Sequence, residues 1–196
     1  ILQHLWLDPK EFTSIQPNYS TMISSGFRTF LRHLFPNLQS LAIEIFNFFY
    51  FDPNMPLILL NQWQLTTLVL DIKLSEFQFV PLVDRINSMH HLKHLYLGFD
   101  LELKVTQLAP TLGRLEQFAI ASPNDTSVMF HHLGPSCTRL WCHTHRLTTA
   151  KLTEALRINP RLFGELTHLR LRFQYDDTMV KLLCEHAINL QHLEMD

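Results

Sequence analysis

One six-residue word, Leu-X-X-Leu-X-Leu with an occasional Ile, Phe, Cys or Met at an anchor, recurs eight times along the 196 residues. No other feature restricts the fold as strongly. Its fullest form is Leu92-Lys93-His94-Leu95-Tyr96-Leu97, within 89–100. The other copies are anchored at Leu2-Leu5-Leu7, Leu38-Leu41-Ile43, Leu65-Leu68-Leu70, Leu115-Phe118-Ile120, Cys137-Leu140-Cys142, Leu166-Leu169-Leu171 and Leu190-Leu193-Met195. The middle anchors stand 36, 27, 27, 23, 22, 29 and 24 residues apart. Inside each word apolar residues alternate with others at period two, which predicts a short strand buried on one face. Between words the spacing turns helical. Phe79, Leu82, Val83 and Ile86 predict a helix over 75–88, with Pro81 near its first turn. A shorter helix is expected over 103–112, and others over 149–158, ending before Pro160, and 176–188, opened by Asp176 and Asp177. Met22 to Leu34 read as a helix within 20–34 ended by Pro36, whereas Phe46 to Phe51 followed by Pro53 and Pro56 read as an irregular, aromatic-packed crossing.

Steps of this size and this word resemble the leucine-rich repeats from end to end. The resemblance implies an α/β solenoid: parallel strands lining the concave side of a horseshoe, with helices on its convex side. Residues 1–196 then form one domain of about eight repeats. The chain begins inside one word and stops inside another with no polar cap at either end, so it reads as truncated at both. One departure concerns the Asn or Cys that regular repeats place three residues after the last Leu. Here those positions hold Lys10, Phe46, Lys73, Asp100, Pro123, His145 and Gln174, and no such ladder is expected. Irregular repeats of drifting length resemble those of F-box/leucine-rich-repeat proteins. In that family an F-box docks the Skp1 subunit of a cullin-RING (SCF) ubiquitin ligase and the solenoid captures the substrate. The implied function is a protein-binding, substrate-recognition module, with a Skp1-type partner only if an F-box lies outside the chain. A receptor or scaffold solenoid unrelated to ubiquitin is the alternative.

Composition limits the other classes. Hydrophobic residues make up 46% of the chain, too many for a disordered one. A net charge of −2 offers no general attraction to nucleic acid, and no apolar run approaches the roughly 20 residues that cross a bilayer. Three cysteines are too few for a disulfide framework and favour an intracellular, reducing compartment, cytoplasmic or nuclear. The triplets Asn18-Tyr19-Ser20 and Asn124-Asp125-Thr126 match the N-glycosylation signal and point the other way.

Cys137, Cys142, His143 and His145 are zinc-ligand types packed into nine residues. The strand word opposes a zinc site there, because it sends both thiols inward and His143 outward. Packing is the favoured reading, and no metal or other cofactor is expected. The 12 histidines show no spacing with a Ser or Cys nucleophile and an acid, and no Gly-rich phosphate loop is present, so no enzyme is expected. His4, His94, His168 and His192 each precede a middle anchor, and they predict a histidine-bearing face that gains charge in mild acid.

The outward strand residues are where a partner should bind. The candidates are Trp6 on the first strand, His94 and Tyr96 on the fourth, Arg139, Trp141 and His143 on the sixth, and His168, Arg170 and Arg172 on the seventh. Trp, Tyr and Arg are enriched at interaction hot spots. Asp8, Glu44 and Asp71 make the first three strands acidic, and the arginines make the sixth and seventh basic. Arg139, Arg170 and Arg172 are expected to converge around Trp141 on one anionic patch.

Overall fold

Each of the eight words folds into a strand. The structure, a computed structural model, describes residues 4–7, 33, 36–45, 64–72, 76–98, 105–122, 127–144, 147–172 and 176–195, with the backbone alone at 4–7, 43–45, 72, 76–79 and 105. The strands are β1 (His4–Leu7), β2 (Ser40–Ile45), β3 (Thr67–Ile72), β4 (His94–Gly98), β5 (Gln117–Ala121), β6 (Arg139–His143), β7 (His168–Arg172) and β8 (His192–Met195). They form one parallel sheet in chain order. The register keeps the middle anchors level: Leu5 faces Leu41, then Leu68, Leu95, Phe118, Leu140, Leu169 and Leu193 follow in line. Equal strand words pair in register because a slip by one residue would turn every leucine out to solvent.

Stacking is tightened just ahead of the strands. The Thr66 carbonyl accepts from the Lys93 and His94 amides, at 2.9 Å each. The same two-to-one bond recurs at Gln39, Lys93, Glu116, Thr138 and Thr167, so each repeat is clamped to the next. These carbonyls satisfy buried backbone donors. The seven positions expected to lack an Asn ladder lie outside the described residues, as do the 20–34 helix apart from His33, the 46–51 crossing, Asn18, Asn124 and Asp125.

Helices lie over the leucine side of the sheet. They are α1 (Glu76–Asn87), α2 (Ala109–Leu112) entered through a 3-10 turn at Val105–Leu108, α3 (Thr149–Ile158), α4 (Arg161–Glu165) and α5 (Asp177–His186), with a further 3-10 turn at Ser127–His131. Leu82, Val83 and Ile86 of α1, Leu152 and Leu156 of α3, and Met179 and Leu183 of α5 join the inward strand residues in one core. Asp176 caps α5 by accepting from the Met179 amide at 2.8 Å, and also accepts from the Thr149 hydroxyl at 2.8 Å. Those two bonds hold its carboxyl below the ordinary range.

Two expectations change. Pro81 is inside α1, not in its first turn. It removes a backbone donor there, and burial of Leu82, Val83 and Ile86 just beyond it holds the helix together. The expected 103–112 helix is half 3-10, and Pro110 stands at the start of its α-helical part. A third element was not anticipated: after Pro160 the chain makes α4, which buries Leu162 and Phe163.

One glycine is dictated by repeat packing. A Cβ at Gly134 would overlap the Gly113 carbonyl oxygen and lie 2.7 Å from its carbon. Backbone cannot yield as a flexible side chain does, so Gly134→Ala is expected to cost about 1–3 kcal/mol. Urea unfolding of this variant beside Gly164→Ala gives the measurement, since the nearest atom to a Cβ at helical Gly164 is 3.8 Å away. Equal losses at both positions would show that the Gly113 contact is not the cause.

Candidate functional site: the open face of the sheet

The face away from the helices carries three rows of side chains running across the strands. Pairing sets them. In the first row Thr67, His94, Gln117, Arg139, His168 and His192 stand side by side. In the second, Val69, Tyr96, Ala119, Trp141, Arg170 and Glu194 do so. The third brings Asp71, Gly98, Ala121, His143 and Arg172 into line. Every candidate from His94 to Arg172 is on this face. Trp6 is in the second row by backbone register, and its side chain, like Asp8, lies outside the described residues.

The second row is a continuous stack. Tyr96 and Trp141 belong to strands two apart, roughly 10 Å, too far for ordinary neighbours. Their rings nevertheless meet at 5.5 Å between centroids, tilted by 34°. Ala119 between them is small enough to be roofed over, and it is only 5% exposed. On the other side of Trp141 the Arg170 guanidinium lies 5.0 Å from the indole centroid and pairs with Glu194 at 3.0 Å. A cation over an aromatic face contributes about 0.5–1 kcal/mol at a partly exposed site, and a pair this exposed adds at most a similar amount. Arg170 is thus oriented by Trp141 and by Glu194.

Of the three arginines expected to converge around Trp141, Arg139 and Arg170 border one depression with it, and Arg172 does not. Arg139 is in the first row beside His168, Arg170 in the second, and Arg172 in the third beside His143. They occupy three different levels of the face. Among the described residues Arg139 and Arg172 form no ion pair, whereas Arg170 does.

Two adjoining depressions mark the floor. One of about 360 Å³ is bounded by Thr67, Val69, His94, Tyr96, Ala119 and Trp141. The next, about 210 Å³, is bounded by Arg139, Trp141, His168, Arg170 and His192, and Gln117 borders both. Both have mainly apolar floors, and the second carries Arg139 and Arg170 on its rim. His168 and His192 stack at 5.7 Å between ring centroids, and His168 Nδ1 shares a 3.0 Å hydrogen bond with the Thr167 hydroxyl. His94 Nδ1 does the same with Thr67 at 3.1 Å, while Lys93 pairs with Glu116 at 2.8 Å and holds that carboxyl below its usual range. At the acidic end Asp71 folds over Gly98, where a Cβ would lie 2.8 Å from its Cγ. Burial raises the Asp71 pKa.

The zinc-type cluster is divided by the sheet. Cys137 and Cys142 are buried in the core, and burial pushes the Cys137 thiol up to about 12. His143 is on the opposite, open face, and His145 lies outside the described residues. Among the described residues no three His, Cys, Asp or Glu side chains are grouped to hold a metal ion. Nor is any described helix long and apolar enough to cross a membrane.

Sequence reasoning missed Arg114, which is structural. Its guanidinium donates to the carbonyls of Met89 (3.0 Å), Asn87 (3.1 Å) and Ile86 (3.4 Å) at the end of α1, and to Pro110 (2.9 Å) in its own repeat. Asn87, Asn159 and Asn189 also bond across repeats, to the carbonyls of Gln107, of Phe130 and Leu133, and of Gly164. Asn87 and Asn159 stand 19 residues after the middle anchors Leu68 and Leu140, Arg114 stands 19 after Leu95 and Asn189 stands 20 after Leu169, so their spacing from the preceding strand was the signal that could have found them.

No protein-family model matches the chain, and no curated protein matches it. A solved structure similar to it is the leucine-rich repeat-containing protein LegL7 from Legionella pneumophila, at 16% identity and a TM-score of 0.48. The likeness covers 98% of this chain and 63% of that one, so the chain spans under two thirds of that protein. The architecture rests on the chain's own geometry: eight parallel strands in chain order, with the leucine words of β3 to β7 buried in one core under the helices, make a leucine-rich-repeat solenoid.

Proposed function

We propose that this chain is a non-catalytic protein-binding module, working inside the cell, that captures its partner on the open face of the sheet. The observation that carries the reading is the Tyr96–Trp141–Arg170 stack beside two depressions, which presents hot-spot residue types on rigid strands. Rigid presentation lowers the ordering cost of binding. Within that reading the irregular repeat lengths favour the substrate-recognition part of an F-box-type adaptor of an SCF ubiquitin ligase. A Skp1-type subunit would then bind through an F-box outside this chain.

Affinity purification of the full-length protein tests both levels. Co-purification of a Skp1-type subunit and a cullin is the expected result for the adaptor. Partners captured without either would leave a receptor or scaffold module. Trp141→Ala is expected to reduce partner capture at least tenfold, and Lys181→Glu on α5 to leave it unchanged. Equal capture by both variants would move the binding surface away from the open face.

A further inference from the structure

We infer that the open face takes a short extended acidic segment of its partner, with an apolar residue seated over β4–β5 and a carboxylate three or four residues away paired with Arg139. The inference rests on the protein-binding reading above and names the chemistry of the occupant. Its first support is the order of the two depressions. The first is walled by Val69, Tyr96 and Trp141, and the adjoining one shares Trp141 and adds Arg139 and Arg170 at its rim. An occupant lying across the strands therefore meets an aromatic-walled depression first and an arginine-rimmed one next.

Distances give the spacing. Strands in a sheet are about 4.8 Å apart, so β3 to β8 span roughly 24 Å, the length of about seven extended residues at 3.3 Å each. The two depressions are centred a little over two strands apart, roughly 10–12 Å, or three to four residues. Longer occupants overhang the sheet.

Charge selects the acid. Arg170 is engaged by Glu194, but Arg139 on the rim of the same depression has no ion pair among the described residues, and its planar fork matches a carboxylate. Glu194 on the same face and Glu116 beside its edge, with a net charge of −2 for the chain, disfavour a nucleic acid. Arg139, the one guanidinium of this depression with no ion pair among the described residues, suits one carboxylate rather than the dianionic phosphate of a phosphopeptide, which gains from several.

Selection from a displayed library of random 12-residue peptides against the full chain tests this. Enriched sequences are expected to share an apolar residue with Asp or Glu three or four positions away. A peptide made to that consensus should bind Arg139→Glu at least tenfold more weakly and Arg139→Gln less severely so. Arg172→Glu, two rows away, should lose less than Arg139→Glu, and Lys181→Glu nothing, with thermal melts showing each variant folded. Enrichment of neutral or basic peptides, tighter binding of a phosphoserine version, or indifference to Arg139→Glu overturns the inference. If such peptides still lose binding in Trp141→Ala, the open face remains the binding surface and only the acidic segment is wrong. If no bound peptide responds to Trp141→Ala or Tyr96→Ala, the protein-binding reading of this face falls with it. A selection that enriches nothing excludes a short segment and leaves a folded partner.

Discussion

Phe163→Ala is expected to destabilise the protein by about 3–5 kcal/mol, the range for removing a fully buried aromatic ring. Phe163 is on α4, has no exposed surface, and meets Phe130 of the preceding repeat edge-on, with centroids 6.3 Å apart and planes at 66°. The ring therefore belongs to an interface between repeats as well as to its own. In a solenoid stability is the sum of such interfaces, so the loss should fall most heavily on the last three strands. Urea unfolding gives the magnitude, and amide exchange gives its location. Ile158→Ala is the comparison, since Ile158 is 45% exposed and its truncation should change little. A similar small loss at Phe163 would mean that α4 does not dock as described.

Arg114→Ala should cost about 2–3 kcal/mol, because hydrogen bonds from a charged donor are stronger than neutral ones and three carbonyls at the end of α1 lose theirs together. Its positive charge also lies at the negative end of the α1 dipole. Burial lowers the Arg114 pKa, and no acid among the described residues compensates it. The carbonyls supply that compensation. Arg114→Lys should recover only part of the loss, since an ammonium cannot reach the Pro110 and Met89 carbonyls at once as the two ends of a guanidinium do. Thermal melting of the three proteins, with exchange at the Ile86 to His90 amides, is the check. Full rescue by lysine would show that charge alone, without the fork, holds the repeats together.

The strand positions, their order and the division of residues between core and open face were legible in the sequence. A strand has a side-chain period of two, so one leucine word determines which residues point inward. Eight copies of the same word then pair level with one another, which is why Arg139, His168 and His192, or Trp141, Arg170 and Glu194, could be placed in rows before any coordinates. The α3 and α5 helices were legible for the same reason, from a period of 3.6 with Pro160 stopping the first and Asp176 and Asp177 opening the second.

Tertiary structure decided what those residues do to one another. That Tyr96 reaches Trp141 depends on a small Ala119 on the strand between, and that Arg170 is turned onto Trp141 depends on Glu194, 24 residues further on. A row assignment says which side chains are neighbours, but rotamers and cross-strand partners choose the contact. Arg114 and the bridging asparagines follow their strand anchors at a nearly constant 19 or 20 residues, but which carbonyls of other repeats they reach was decided by the packing. Pro81 was expected near a helix start because it lacks an amide, and the burial of three residues after it outweighed that preference. Period and polarity are local properties and can be read along a chain; pairing across repeats is a property of the stack and exists only once the repeats have packed.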